Sequence, residues 1–280
     1  MEINYCCTHW GSETKTPLDF LVELVKDGYS GLEINLSPGN FDDIQFFDKL
    51  EALRRINNFS FIAQQVLNPA NETPKAYTKR MKERLVYLME FQPDFVNSHT
   101  GKDFYSFDDN CRIIEEAENI AAKFGIPILH ETHRGRFSFH LETILPYLKK
   151  FPQLQLTADF SHWCCVSESM LQDQTEKFQK VIPHIGHLHA RIGSEQSAQV
   201  GHPFAPEWES HMAIFTNWWK EIIASKQSKN ERLFTITPEC GPAPYMPEIP
   251  FSRQPLSNQW EVNLMMKGHL EHHLNEMLNK

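Results

Sequence analysis

Short apolar runs of β character recur along the chain: INYCCTHW, GLEINL, SFIAQQV, FVNSHTG, PILHETH, LQLTADF, GHLHARIG and FTITPEC. The segments between them carry apolar residues at helical spacing. The first gap shows how the elements are bounded. Thr16 is placed to cap a helix, Pro17 suits its first position, and Asp19 completes a T-x-x-D box. Phe20, Leu21, Leu24 and Val25 then form one apolar stripe, and Gly28 stands where the helix should end. Further helices are expected over YTKRMKERLVYLMEF, NCRIIEEAENIAAKF, LETILPYLKKF and HMAIFTNWWKEIIAS. Strand and helix alternate roughly every 30–35 residues, the rhythm of a parallel sheet. Eight strands in 280 residues predict an α/β fold closed as a (β/α)8 TIM barrel. No G-x-G-x-x-G follows the first strand, which weighs against an open dinucleotide-binding sheet. From about Pro242 the pattern changes: PAPYMPEIPFSRQP reads as an extended loop, followed by a helix from about Asn258 to the end. The expectation is one domain over residues 1–280, with a barrel core to about 242 and a C-terminal loop and helix over 243–280.

Composition narrows the function class. Hydrophobic residues make up 41 %, enough for a sizeable core, and no apolar run approaches membrane-spanning length. The start, MEINYCCTHW, lacks the basic-then-apolar layout of a signal peptide, so a cytoplasmic protein is expected. A net charge of −9 argues against a nucleic-acid partner, since phosphate binding needs clustered Lys and Arg. The six cysteines include the vicinal pairs Cys6–Cys7 and Cys164–Cys165 but no C-x-x-C, and read as buried reduced thiols.

The chemistry of a barrel sits where its strands run out into the following loops. Those ends carry Glu33, Gln64 or Gln65, His99, Glu131 with His133, Asp159 with His162, His187 with His189, and Glu239. Strand side chains alternate, so Glu131 and His133 share a face, as do His187, His189 and Arg191. Carboxylates gathered at one mouth repel one another. A divalent cation removes that cost, and two Glu, one Asp and one His suit Mn²⁺, Mg²⁺ or Co²⁺ and tolerate Zn²⁺. Each residue alone is explained as well by a hydrogen-bonded strand end. His162 fits a helix cap or packing, His187 fits a brace for its neighbour, and Glu33 fits a salt-bridge partner at the mouth rather than a ligand.

The motifs HETHRG, ADFSHW, HLHAR and TPEC, in that order, resemble the xylose isomerase-like TIM-barrel superfamily over roughly residues 1–242. This is the sugar phosphate isomerase/epimerase group, which also holds endonuclease IV-type enzymes of the AP endonuclease 2-like family. The resemblance implies one divalent metal ion (Mn²⁺, Zn²⁺, Co²⁺ or Mg²⁺) held by Glu131, Asp159, His189 and Glu239. His189 is chosen over His187 because His189-Ala190-Arg191 fits the family's H-x-(Lys/Arg/Asn) pattern. It implies isomerisation or epimerisation of a small sugar or keto-sugar through a metal-stabilised enediolate, with Glu131 and Glu239 moving the proton. His99, His133, His162, His187 and Arg191 become candidates for substrate contact, Arg191 fitting a rim salt bridge equally well. Trp10, Trp163 and Phe104 are candidate apolar walls.

The sequence departs from the nucleases at two places. Gln64 and Gln65 stand where those enzymes present a histidine, and Gly201 precedes His202 where they use a carboxylate-x-histidine pair. A dehydratase of the inosose dehydratase type is the alternative, ahead of an abasic-site nuclease or a non-catalytic sugar-binding barrel. A binder has no need of the Glu131–Glu239 pair. The absence of a glycine-rich phosphate loop after strands seven and eight favours an unphosphorylated sugar. PYMPEIPF would cover the mouth or form a subunit contact; the sequence leaves the oligomeric state open, and the appended C-terminal loop and helix are compatible with a homodimer.

Overall fold

A computed structural model of the chain describes residues 1–37 and 43–278. All eight apolar runs form strands: β1 (Glu2–Thr8), β2 (Gly31–Ile34), β3 (Ser60–Gln65), β4 (Phe95–Ser98), β5 (Ile128–Glu131), β6 (Leu156–Ala158), β7 (Ile185–Ala190) and β8 (Leu233–Pro238). They pair in sequence order, all parallel, and β8 returns to β1 to close the barrel.

Local chemistry sets the helices between them. In α1 (Pro17–Lys26) the Thr16 hydroxyl accepts the Asp19 N–H at 3.1 Å, as the T-x-x-D box predicts. Asp43 caps α2 (Ile44–Asn57). The third helix, α3 (Pro74–Met89), begins three residues before the expected stretch, because Thr73 caps it and Pro74 supplies its first turn. Ser106 likewise starts α4 (Phe107–Phe124) ahead of the apolar stripe. α5 (Leu141–Lys150) and α8 (Glu209–Ser228) fall where expected, while the short α6 (Phe160–Ser167) and α7 (Thr175–Val181) both lie between β6 and β7. α9 (Gln259–Leu278) is the terminal helix, whose last two expected residues lie outside the described ones. Among the described residues no helix is long and apolar enough to cross a membrane.

The barrel has two unlike interiors. Between sheet and helices lies an apolar layer that includes Phe20, Leu24, Phe61, Leu85 and Trp219. Inside the barrel a small apolar plug of Cys6, Ile62, Phe95 and Leu129 fills one level. Two residues further along their strands, Gln64, Asn97 and Glu131 are also buried, but polar. All six cysteines are free and five are buried.

Close packing of the plug leaves no room beside Cys6. A Cβ on Gly31 would lie 2.4 Å from the Cys6 Sγ and 3.1 Å from the Ser60 carbonyl oxygen. Gly31→Ala is therefore expected to cost about 1–3 kcal/mol. A lower urea midpoint at unchanged m-value would show it.

Candidate metal centre

Four strand ends build the centre. Asp159 follows β6 and caps α6: its Oδ1 accepts the Ser161 N–H at 3.1 Å and the Ser161 hydroxyl at 2.5 Å. That fixes the carboxylate and leaves Oδ2 to accept from Arg191 Nε. The Thr132 hydroxyl clamps the Asp159 backbone, donating to its carbonyl at 2.9 Å and lying 2.8 Å from its N–H. Glu131 closes β5, and its Oε2 is held by Asn97 Nδ2 and His99 Nε2, each at 2.9 Å. Glu239 follows β8 directly. On β7, His189 points Nδ1 at Glu239 Oε2, 2.8 Å away, and towards Glu131 Oε1 at 3.7 Å.

One donor atom from each of Glu131, Asp159, His189 and Glu239 lies within 4.8 Å of all the others. Donors on opposite sides of a cation with bonds of ~2.1 Å stand ~4.2 Å apart, so small rotations bring all four into coordinating range. The donor set, three carboxylates and one imidazole, is also the one expected for a hard or borderline divalent ion.

Electrostatics argue the same way. Burial, reinforced by Glu239 and Glu131, pushes Asp159 up to about 6 even beside Arg191. Burial also opposes ionisation of Glu131, yet His99 and His189 together hold it well below the usual carboxylate range. The pull is mutual: Glu239, Glu33 and Glu131 outweigh burial and keep His189 protonated. Arg191 supplies the remaining positive charge. Its Nε donates to Asp159 Oδ2 at 3.0 Å, its Nη2 donates to Glu239 Oε2, and its plane lies 4.7 Å from the Tyr245 ring centroid and 5.5 Å from that of Trp10. Its Nη1 is buried without a hydrogen-bond partner among the described residues.

Above the cluster opens a cavity of about 610 Å³, and of the strand-end and wall residues singled out in the sequence Trp10, Gln64, His99, Glu131, His133, Arg191 and Glu239 line it. Asp159 and His189 lie behind this wall, fully buried. His162 is also buried, in α6, with its ring 3.8 Å from that of His133 and neither nitrogen hydrogen-bonded among the described residues. His187 sits deeper, its Nδ1 donating to the Thr235 carbonyl at 2.9 Å, as a brace would.

Three candidates are placed elsewhere than expected. Trp163 packs on Phe160 and donates its indole N–H to the Ser138 carbonyl, so it belongs to the helix–sheet layer and not to the cavity. Phe104 is 76 % exposed and lies outside the cavity lining. Glu33 does form an ion pair, with His189, but it is fully buried beneath the mouth rather than at it. Of the two glutamines, Gln64 points inward to Glu33 at 3.0 Å, while Gln65 accepts from Ser98 at 2.7 Å.

Several cavity residues were not singled out by the sequence, among them His9, Lys15, Asn35 and Tyr245. Tyr245 packs edge-on against Trp10 with centroids 5.1 Å apart, and its hydroxyl lies 3.2 Å from His133 Nε2. Since His133 Nδ1 is 2.6 Å from the Arg134 carbonyl, which only accepts, the Tyr245 hydroxyl is the donor to Nε2. The signal was the proline-rich PAPYMPEIP segment, which marked a cover for the mouth without marking the residue. Gly241 makes the wall possible, since a Cβ there would fall 2.2 Å from the Trp10 ring.

No protein-family model matches the sequence, and no curated protein matches it. Solved structures do match, over nearly the whole chain. A D-allulose 3-epimerase from Methylomonas sp. superposes with a TM-score of 0.66 at 14 % identity, over 98 % of this chain and 98 % of that one. The probable 3-DHS dehydratase AsbF from Bacillus anthracis gives 0.63 at 17 %, over 97 % and 99 %. A xylose isomerase-like TIM barrel protein from Mycobacterium smegmatis, in complex with magnesium, gives 0.58 at 10 %, over 97 % of each chain. At these identities the likeness shows the fold, which is the one the four motifs implied.

Removing Arg191 leaves Asp159 and Glu239 buried without their cation, a change that typically costs about 3–5 kcal/mol. Metal-free Arg191→Ala should melt well below the parent chain. Mn²⁺ should raise its melting temperature more than it raises that of the parent, a comparison made by calorimetry with and without chelator.

Proposed function

We propose that the chain is a divalent-metal-dependent epimerase or isomerase of an unphosphorylated sugar or keto-sugar. The observation that carries this reading is a division within the cluster. Glu131 and Glu239 reach the cavity surface, whereas Asp159 and His189 are sealed behind it. The sealed pair is suited to holding an ion, and the cavity-lining pair to touching a substrate. A divalent cation held by the four would polarise a substrate carbonyl as a Lewis acid and acidify the neighbouring C–H.

The chain's own groups then move the proton. Glu131 is kept ionised by its histidine neighbours, and Asn97 and His99 both donate to its Oε2, fixing its plane. Glu239 follows β8, three strands along the barrel from the β5 of Glu131, so the two carboxylates approach the cavity from different sides. One takes the proton from carbon; the other delivers one to the opposite face, giving the epimer, or to the adjacent carbon, giving the isomer. Either route returns as many protons as it removes. Arg191 Nη1 is a free donor for a substrate oxygen, and Trp10 with Tyr245 forms an apolar wall that limits water.

A dehydratase acting through the same proton abstraction is the second reading. It is favoured by the Arg191 donor, which would suit a substrate carboxylate, and by a fold like that of AsbF.

A panel of ketoses, aldoses and inososes incubated with Mn²⁺ in D₂O separates these readings. Epimerase or isomerase action predicts deuterium at one substrate carbon by NMR, lost on chelation. Elimination predicts loss of one water by mass spectrometry. Glu131→Gln and Glu239→Gln should each lower exchange by roughly 10²–10⁴-fold with the fold intact by circular dichroism. Full exchange in the Glu239 variant removes it from the acid–base role.

A further inference from the structure

Beneath the cluster, on the side away from the cavity, Glu33 is completely buried. A buried carboxylate is costly unless donors surround it. Here the donors come from four other strands. Gln64 Nε2 and Asn97 Nδ2 each reach Oε1 at 3.0 Å, and the Thr237 hydroxyl reaches Oε2 at 2.6 Å. His189 Nε2 bridges both oxygens at 3.0 and 3.1 Å. An apolar side chain at this position would need none of these partners, so their convergence calls for a role.

The geometry points to Glu33 as the positioning residue that aims His189 at the metal, an inference that rests on the reading of the four-residue centre. A carboxylate only accepts hydrogen bonds, so Nε2 of His189 must carry a proton wherever it meets Glu33. Nδ1 faces Glu131 and Glu239 and by the same rule carries a proton in the metal-free chain, so an ion binds there by displacing the Nδ1 proton while Nε2–H stays committed to Glu33. Glu33 thus selects the tautomer and locks the ring plane from behind. Asn97 extends the support, because the same Nδ2 also donates to Glu131 Oε2 at 2.9 Å. One buried carboxylate therefore orients two members of the centre, without itself touching ion or substrate.

Glu33→Gln keeps the shape and inverts the polarity at one oxygen. Wherever the amide nitrogen sits it meets donors, and it presses His189 to move its proton to Nδ1. Loss of such an outer carboxylate lowers metal affinity by about 10–100-fold. Calorimetric titration with Mn²⁺ and Zn²⁺ should show that loss in Glu33→Gln at a temperature where circular dichroism shows the metal-free variant still folded. Asp159→Asn, which removes a ligand directly, serves as the control. Binding equal to the parent would overturn the proposal.

The histidine ¹⁵N–¹H spectrum supplies a signature that a merely structural role would not move. The parent should show a protected Nε2–H for His189 both metal-free and Zn²⁺-loaded, and a proton on Nδ1 with bare Nε2 would overturn the proposal even if the variant fails to fold. A parent chain that takes up no Mn²⁺ or Zn²⁺ would remove the metal reading. The metal-free spectrum then decides the orientation of His189 by itself, a protected Nε2–H supporting it and a bare Nε2 overturning it.

Discussion

Everything at the barrel mouth answers to one constraint, the crowding of negative charge out of reach of water. Glu33, Glu131, Asp159 and Glu239 are each at most 4 % exposed. Against these four the chain sets two cations of its own, Arg191 and a protonated His189. The arrangement is left two positive charges short. Interior carboxylates in that state either take up protons, as the upward push on Asp159 shows, or take up a cation. A barrel that only needed to be stable would have filled this space with apolar side chains.

The strand period converts that constraint into a layered site. Along β4 the inward residues run Phe95, Asn97, His99; along β5, Leu129, Glu131, His133; along β7, His187, His189, Arg191. Apolar filling therefore gives way to hydrogen-bonding amides and rings, and these to groups that reach the cavity. Each layer orients the next one up. The apolar plug packs against His187, with Phe95 at 5.3 Å between ring centroids, and Glu33 and Asn97 hold His189 and Glu131 from below. What the cavity presents is thus fixed by contacts that no ligand would touch.

Much of this was legible in the residues, and the failures share a cause. Eight apolar runs were enough to place every strand, because inward and outward alternation is a period-two signal that survives in short segments. The same alternation put Glu131, Asp159, His189 and Glu239 at strand ends, and the structure brings them together. Depth was not legible. Glu33 ends a strand as Glu131 does, yet lies a layer lower, because the stagger of strands in a closed barrel sets height and sequence spacing does not. In ADFSHW the unseen element was a helix: successive residues on α6 turn by about 100°, so His162 faces the His133 ring while Trp163 turns to Phe160. Tyr245 sits in an irregular loop, where no period exists to read.

The wall over the cavity joins distant parts of the chain. Trp10 leaves the first strand, Tyr245 follows the last, and the Gln259 side chain donates to the Trp10 carbonyl at 2.7 Å across 249 positions of sequence. The ring of strands closes through β8 on β1, with no help from these residues. The chamber is therefore sealed by segments that stand outside the ring of strands: without them the acidic cluster would lie open to bulk solvent, where water would compete for every proton it handles.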